Sequence, residues 1–205
     1  MAAREPSSSA GMREERRSLP AHAAPDPARI EFRRLTTSDL PLVHRWLSAP
    51  HVFRWWYDEG TSYAEIEEKF VPRIEGRDQG EPFAILYEGS PIGYIQTYLI
   101  AHDEEYARLV DVEDSAGVDL FIGEAEYVYR GLGSHILRRF VGEVVFENED
   151  VKTCVIGPET RNEAAIRAYE KAGFRYFKTI QVPEEQQPEH LMKMSREEFE
   201  AGAVE

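Results

Sequence analysis

The 205-residue chain has a single cysteine, Cys154, so it cannot form an internal disulfide. No set of Cys and His residues has the spacing of a zinc site, and we expect no metal. No apolar run approaches the roughly 20 residues that a membrane-spanning helix needs. The N-terminus also lacks the basic-then-apolar layout of a secretory signal. These absences predict a protein of the reducing cytoplasm without a membrane partner.

Positive charge is scarce, because 24 Lys and Arg stand against 38 Asp and Glu, for a net charge of -14. Binding of nucleic acid needs a basic surface that neutralises phosphates, so we expect no nucleic-acid partner. A negative field attracts cations, which favours a cationic small molecule as the substrate. The alternative interpretation is that the acidity only keeps the protein soluble.

The chain divides into three parts by composition. Residues 1–28 are rich in Ser, Ala, Pro and Arg and are predicted to be a disordered tail. Residues 29–195 are predicted to form one domain, and residues 196–205 a polar C-terminal end. Within the domain, the pattern predicts a strand, two helices, three strands, a helix, a strand, a helix and two strands. This order indicates an α/β (α+β) fold with one central sheet flanked by helices.

Two segments are expected to be irregular. Residues 51–58 (HVFRWWYD) are predicted to form an aromatic-rich turn, in which exposed Trp55 and Trp56 more often bind a ligand than pack. The alternative is that both rings cover the core beside Trp46. Residues 103–114 are acidic, have almost no periodicity and are predicted to form a loop or a loosely paired segment.

A glycine turn at residues 129–134 (YRGLGS) separates a strand from a long helix. Glycines let the backbone bend tightly and approach a ligand closely. A helix N-terminus adds unpaired N–H groups and a partial positive charge, so the turn is a candidate pyrophosphate site, with Arg130 as a further cation. It is not a dinucleotide fingerprint, because Ile136 stands where the third glycine would be. The alternative is a tight turn without a ligand.

Downstream, residues 161–174 (RNEAAIRAYEKAGF) have the spacing of an amphipathic helix that ends at Gly173. That spacing needs no function to explain it. The combination of this block with a strand, a Gly-Leu-Gly turn and a helix, however, resembles the acetyl-CoA-binding core of the GNAT superfamily of N-acetyltransferases. Residues 51–56, 91–98 and 117–119 further resemble aminoglycoside 6′-N-acetyltransferases. The resemblance covers roughly residues 30–194.

The resemblance implies a single-domain GNAT fold with a mixed, mostly antiparallel sheet. It also implies acetyl-CoA as the cofactor and direct attack of an amine on the thioester. The implied cofactor contacts lie at the end of one strand, in the glycine turn and on the second helix: Leu120, Phe121, Ile122, Tyr129, Arg130, Gly131, Leu132, Gly133, Ser134, Asn162, Ala165, Tyr169 and Lys171.

Two residues are candidates for catalysis. Asp119 stands in mid-strand between Val118 and Leu120, where a buried carboxylate needs a partner. The resemblance implies that it binds the acceptor amine or acts as the general base; the alternative is a strand residue that faces water. Tyr169 is implied as the general acid toward the coenzyme A sulfur, and its alternative is a core tyrosine.

The acceptor site is predicted from residues around Asp119. Trp55 and Trp56 are candidate walls, and Gln96 and Tyr98 lie on the neighbouring strand. Acidic residues of the predicted loop are candidates to neutralise further ammonium groups: Asp111, Glu113 and Asp114.

The acceptor is predicted to be the 6′-amine of an aminoglycoside. Another amine (a polyamine, a siderophore precursor or a protein amine) and an acyl-CoA sensor without turnover are the alternatives. Cys154 has no matching His and lies in an apolar strand, so it is predicted to be a core residue.

Overall fold

The computed structural model describes residues 25–56, 62–183 and 186–202, and the fold is built from these ranges. Seven strands form one sheet: β1 (Ile30–Arg34), β2 (Glu81–Tyr87), β3 (Ser90–Leu99), β4 (Ser115–Ile122), β5 (Thr153–Ile156), β6 (Arg175–Ile180) and β7 (Glu189–Ser195). Seven α-helices accompany them in the described ranges: α1 (Leu40–Leu47), α2 (Pro50–Trp56), α3 (Tyr63–Ile74), α4 (Glu104–Val110), α5 (Leu132–Glu143), α6 (Glu163–Ala172) and α7 (Arg196–Ala201). Most of the predicted tail lies outside the described residues, and Pro27–Arg29 form a short 3-10 turn before β1.

The strands are ordered β1-β2-β3-β4-β5-β7-β6. All neighbouring pairs are antiparallel except β4 and β5, which are parallel. This mixed, mostly antiparallel sheet confirms the predicted fold class. β4 pairs with β3 as far as Ile122, but its pairing with β5 covers only Ser115 to Gly117. The second half of β4 therefore separates from β5 and opens a cleft within the sheet.

Apolar side chains fill both faces of the sheet because they alternate along the strands. On one face, α5 and α6 bury residues such as Phe140 and Tyr169 against the strands. On the other face, α1 and α3 pack against Tyr94 and Phe121. Each fully buried large side chain contributes about 1.5–3 kcal/mol, so the helices are held firmly around the cleft.

The two segments expected to be irregular contain helices, and those expectations are wrong. Helix α2 includes Trp56, and it is held in place by buried Val52 and by a hydrogen bond of 3.1 Å between the His51 Nε2 and the carbonyl oxygen of Ile122. Residues 57 and 58 of the predicted turn lie outside the described residues. Helix α4 is capped by Asp103, whose carboxylate accepts hydrogen bonds from two backbone N–H groups. Both helices have seven residues and bury one residue each, too little to produce a visible period.

Within the described ranges, none of the helices is long and apolar enough to cross a membrane. The same residues contain no group of three or more His, Cys, Asp or Glu placed to hold a metal ion. Cys154 is buried in the core of the sheet, as predicted.

Candidate functional site

A cavity of about 400 Å³ lies between the second half of β4, the turn before α5 and helix α6. We call it the α5–α6 cavity. All the residues predicted to contact the cofactor line it except Arg130, which stands in the same turn but outside the described lining. The strand end, the glycine turn and the second helix therefore converge on one cavity.

The turn before α5 has the backbone of an anion site. Tyr129 and Gly131 have φ angles of 60° and 82°, in the left-handed region that glycine adopts most readily. Gly131 stands at the cap position and brings no side chain that would satisfy the first N–H groups of α5. Because residues 132–134 line the cavity, these N–H groups and the helix dipole favour an anion there. The turn fits a pyrophosphate.

Helix α6 and its cap contribute two of the predicted site residues to the same cavity. Asn162 caps the helix, since its Oδ1 accepts a hydrogen bond of 3.2 Å from the Ala165 backbone N–H. Tyr169 follows two turns later and so lies on the same helix face. Burial raises the pKa of the Tyr169 phenol, and the charge of Asp119 raises it further. The Tyr169 phenol is therefore protonated at neutral pH and has a hydrogen to donate.

A second cavity of about 550 Å³ contains Asp119. We call it the Asp119 cavity. It shares part of its lining with the α5–α6 cavity: Trp55, Trp56, Leu120, Asn162 and Tyr169. The two cavities therefore adjoin at these residues, one of which, Leu120, follows Asp119 on β4.

Asp119 is held in place by a polar network on β3. Gln96 stands opposite Asp119 in the register of β3 and β4, and its Nε2 donates a hydrogen bond of 2.7 Å to Asp119 Oδ2. The Gln96 Oε1 accepts hydrogen bonds from the Tyr94 hydroxyl at 2.6 Å and from Arg73 Nη1 at 3.2 Å. Because Arg73 can only donate, the Gln96 amide has one possible orientation. Asp119 is half-buried and has the partner that such a carboxylate needs.

The two tryptophans of α2 serve both the core and the site. The Trp56 ring packs edge-on against Phe121, with 4.8 Å between ring centroids. Trp55 lies against the guanidinium groups of Arg54 and Arg161, at 4.6 and 5.6 Å from its ring centroid. Both rings line both cavities. Trp56 thus packs on the core and lines both cavities, and its role as a wall of the acceptor site stays a prediction.

Gln96 and Tyr98 lie behind the Asp119 cavity, outside its described lining. Their polar atoms are already used inside the protein, because Gln96 bonds Asp119 and Tyr98 forms a hydrogen bond with Tyr106 on α4. The interpretation of these two residues as direct acceptor contacts therefore changes: Gln96 orients Asp119 from behind.

The acidic residues between β3 and β4 that are predicted to bind the acceptor lie outside the Asp119 cavity. Asp111, Glu113 and Asp114 line a separate groove that also includes Ser115, at the beginning of β4. Asp119 lies four residues further along that strand, toward the cleft. These three carboxylates do not join the described lining of the Asp119 cavity, so we leave them out of the acceptor site.

Three charged residues of the Asp119 cavity were missed by sequence reasoning: Lys69, Glu159 and Glu189. Glu159 follows β5 and Glu189 begins β7, and an isolated antiparallel bridge joins them. No local pattern marks either glutamate, because the tertiary pairing of two distant segments brings them together. The described lining thus holds three carboxylates, Asp119 included, and one ammonium group.

Known proteins resemble this chain in sequence and structure. A family model described as an acetyltransferase (GNAT) domain matches residues 36–182. The aminoglycoside N(6′)-acetyltransferase type 1 of Klebsiella pneumoniae is 29% identical over 174 residues, which cover 83% of this chain and 85% of that protein. The crystal structure of the aminoglycoside acetyltransferase AAC(6′)-Ib with coenzyme A and kanamycin has a TM-score of 0.76 at 29% identity and covers 85% of this chain and 99% of that one. The lysine N-acyltransferase MbtK of Mycobacterium sp. (strain MCS) is 23% identical over 143 residues, covering 68% of this chain and 57% of that protein.

Proposed function

The chain belongs to the acetyltransferase (GNAT) domain family, and we propose that it transfers an acetyl group from acetyl-CoA to the 6′-amine of an aminoglycoside. The observation that carries this proposal is the meeting of the two cavities beside Asp119 and Tyr169. The aminoglycoside as acceptor is supported by the Klebsiella pneumoniae relative and by the similar structure with kanamycin. It is also supported by the acidic lining of the Asp119 cavity.

The α5–α6 cavity is the proposed place of acetyl-CoA. The first N–H groups of α5 would bind the pyrophosphate, while Asn162 and Tyr169 would face the part of the cofactor nearest the second cavity. When bound, acetyl-CoA supplies an acetyl group activated as a thioester. The backbone N–H of Leu120 or Phe121, on the part of β4 that has left β5, is the proposed donor to the carbonyl oxygen.

Asp119 is proposed to bind the acceptor ammonium group and to take its proton, since only the neutral amine is a nucleophile. Its Oδ2 is engaged by Gln96, which fixes the plane of the carboxylate. Tyr169 carries a proton on its phenol oxygen at neutral pH, as tyrosine ordinarily does, and burial raises its pKa further. It can therefore donate that proton on the cofactor side of the junction, opposite the group that accepts one.

The proposal is tested by release of the coenzyme A thiol in the presence of acetyl-CoA and kanamycin. Asp119→Asn keeps the shape of the side chain but removes the base, and a general base contributes typically about 10²–10⁴-fold. We expect the variant to lose at least about 100-fold in kcat/KM.

Asp111→Asn is the matched control for this variant. It removes the same charge in the separate groove, and Asn tolerates the left-handed backbone of Asp111, φ 51°. A kcat/KM that falls in Asp111→Asn and not in Asp119→Asn would place the acceptor in that groove. Acetylation of lysine but not of kanamycin would reject the aminoglycoside as the acceptor.

A further inference from the structure

We propose that Glu189, together with Glu159, binds a second ammonium group of the acceptor, so that the preferred substrates carry at least two cationic nitrogens. This inference rests on the proposed acetylation of an amine at Asp119 and specifies which amines the enzyme selects. The two glutamates would form a specificity subsite within the same cavity as Asp119.

The backbone places the two carboxylates side by side. Glu159 and Glu189 are partners in an antiparallel bridge. Flanking hydrogen bonds fix it, since the Thr160 N–H donates to the Pro188 carbonyl at 3.1 Å and the His190 N–H donates to that of Pro158 at 2.7 Å. Directly opposed side chains lie on the same face of a ladder, and like charges there repel each other. A cation between them would remove that repulsion.

The Glu189 carboxylate has a defined position. The Tyr106 hydroxyl, from helix α4, donates a hydrogen bond of 2.9 Å to Glu189 Oε2. Space for this oxygen exists because residue 157 is glycine: a Cβ on Gly157 would lie 2.5 Å from Glu189 Oε2. Burial raises the pKa of the Tyr106 phenol, so it remains a donor. Helix α4, which lies between β3 and β4, thus contributes Tyr106 to the site.

Glu159 provides the observation that points to a ligand. Its side chain is only 12% exposed, and its Oε2 forms an ion pair of 2.6 Å with Arg161 Nε. Its Oε1 is buried and has no hydrogen-bond partner among the described residues. An unsatisfied buried carboxylate oxygen is costly, whereas an ammonium group has three N–H donors to offer.

Carboxylates outnumber cations around the cavity, by three to two when Arg161 is counted. The described lining holds three carboxylates against the ammonium group of Lys69, and Arg161 pairs with one of them from outside that lining. An acceptor with a single ammonium group at Asp119 would bring no donor to Glu159 Oε1, which accepts no hydrogen bond from the described residues. An acceptor with two ammonium groups would bring one to each end of the cavity.

The test compares two acceptors with the same reacting group. Kanamycin carries several ammonium groups, whereas 6-amino-6-deoxy-D-glucose has one, on the carbon that corresponds to the 6′ position. We expect Glu189→Gln to lower kcat/KM for kanamycin by roughly 10- to 100-fold, mainly through KM, as expected for loss of a hydrogen bond to a charged group. For the monoamine we expect a change within about twofold.

Two further variants separate the subsite from a general effect. Tyr106→Phe keeps the ring but removes the donor to Glu189, and we expect a smaller loss of the same kind, again only for kanamycin. Glu105→Gln is the matched control, because it removes one charge from an exposed position on the same helix as Tyr106. It should leave both acceptors unaffected.

Calorimetric titration with kanamycin distinguishes failure of this inference from failure of the proposed function. If the wild type acetylates kanamycin and Glu189→Gln affects both acceptors equally, or neither, the subsite is overturned and the function stands. If kanamycin binds in a Glu189-dependent manner without release of coenzyme A, the reaction fails and the subsite stands. If kanamycin neither binds nor reacts, 1,4-diaminobutane and butylamine are compared instead of kanamycin and 6-amino-6-deoxy-D-glucose. A preference for the diamine that is lost in Glu189→Gln supports the subsite, and its absence overturns it.

Discussion

Replacement of Gln96 with leucine would remove the amide that joins Arg73 and Tyr94 to Asp119. In the native protein, Gln96 Nε2 donates to Asp119 Oδ2 at 2.7 Å, and its Oε1 accepts hydrogen bonds from both other residues. The variant keeps a side chain of similar size, so the loss is one of hydrogen bonds rather than of packing.

The expected cost follows from the groups left without partners. A hydrogen bond to a charged group contributes about 1.5–3 kcal/mol, and the buried Tyr94 hydroxyl left without an acceptor costs about 1–3 kcal/mol. Arg73 keeps its ion pair of 3.0 Å with Asp78. Because these contacts belong to one network and do not add simply, we expect a loss of about 2–4 kcal/mol in the free energy of unfolding. For a domain of this size that lowers Tm by roughly 5–15 °C.

The effect on activity should exceed the effect on folding. Without the Gln96 amide, Asp119 loses the hydrogen bond to its Oδ2, and a displacement of about 1 Å in a reacting group can reduce the rate about 100-fold. We expect kcat for kanamycin to fall by about 10- to 100-fold at a temperature where the variant is fully folded. The assay combines thermal unfolding followed by circular dichroism with coenzyme A release.

Thr97→Val is the matched control for Gln96→Leu. Thr97 is the next residue on β3, is equally buried, and donates a hydrogen bond of 3.1 Å to the Gly117 carbonyl. The Thr97 side chain points to the opposite face of the sheet. Thr97→Val should therefore lower the free energy of unfolding by about 1 kcal/mol and leave kcat unchanged. Equal loss of kcat in both variants, or an unchanged kcat in Gln96→Leu, would refute the role given to this network.

Other consequences of the structure can be measured separately. Tyr169→Phe removes only the phenol oxygen, so kcat should fall about 100-fold while coenzyme A binding, measured by calorimetry, stays unchanged; an unchanged kcat would exclude Tyr169 as the acid. Burial raises the pKa of the Tyr94 and Tyr169 phenols above the ordinary value of 10.0. The stability this gives is fully present below pH 10 and is lost as pH rises further. The protein should therefore unfold in strong alkali together with phenolate formation, and ionisation of all tyrosines near pH 10 in folded protein would contradict this. The buried Cys154, whose thiol pKa is raised by burial, should not react with Ellman's reagent until the protein is denatured; a fast native reaction would place it outside the core.

The cofactor half of the candidate site was accessible to sequence reasoning because its signals are local. The turn at Gly131 and the helix that follows it are contiguous in the chain, as are the Asn162 cap and Tyr169 on α6. Such patterns predict both the backbone geometry and the face of a helix. The structure brings both segments to one cavity.

The acceptor half depends on contacts that no local pattern contains. Glu159 and Glu189 meet only through a bridge between distant segments, and Gln96 is aligned with Asp119 by the register of β3 and β4. The acidic residues around Asp111 were expected near the acceptor because of their charge. The position of these residues depends on α4, a short helix that shows no hydrophobic periodicity in the sequence. They line another groove.

The most direct test of the proposed reaction is the structure of the product formed from acetyl-CoA and kanamycin. We expect a single N-acetyl group on the 6′ nitrogen, identified by NMR, in a reaction that Asp119→Asn slows at least about 100-fold and Asp111→Asn leaves intact. Acetylation of a different nitrogen, or a wild-type rate in Asp119→Asn, would contradict it.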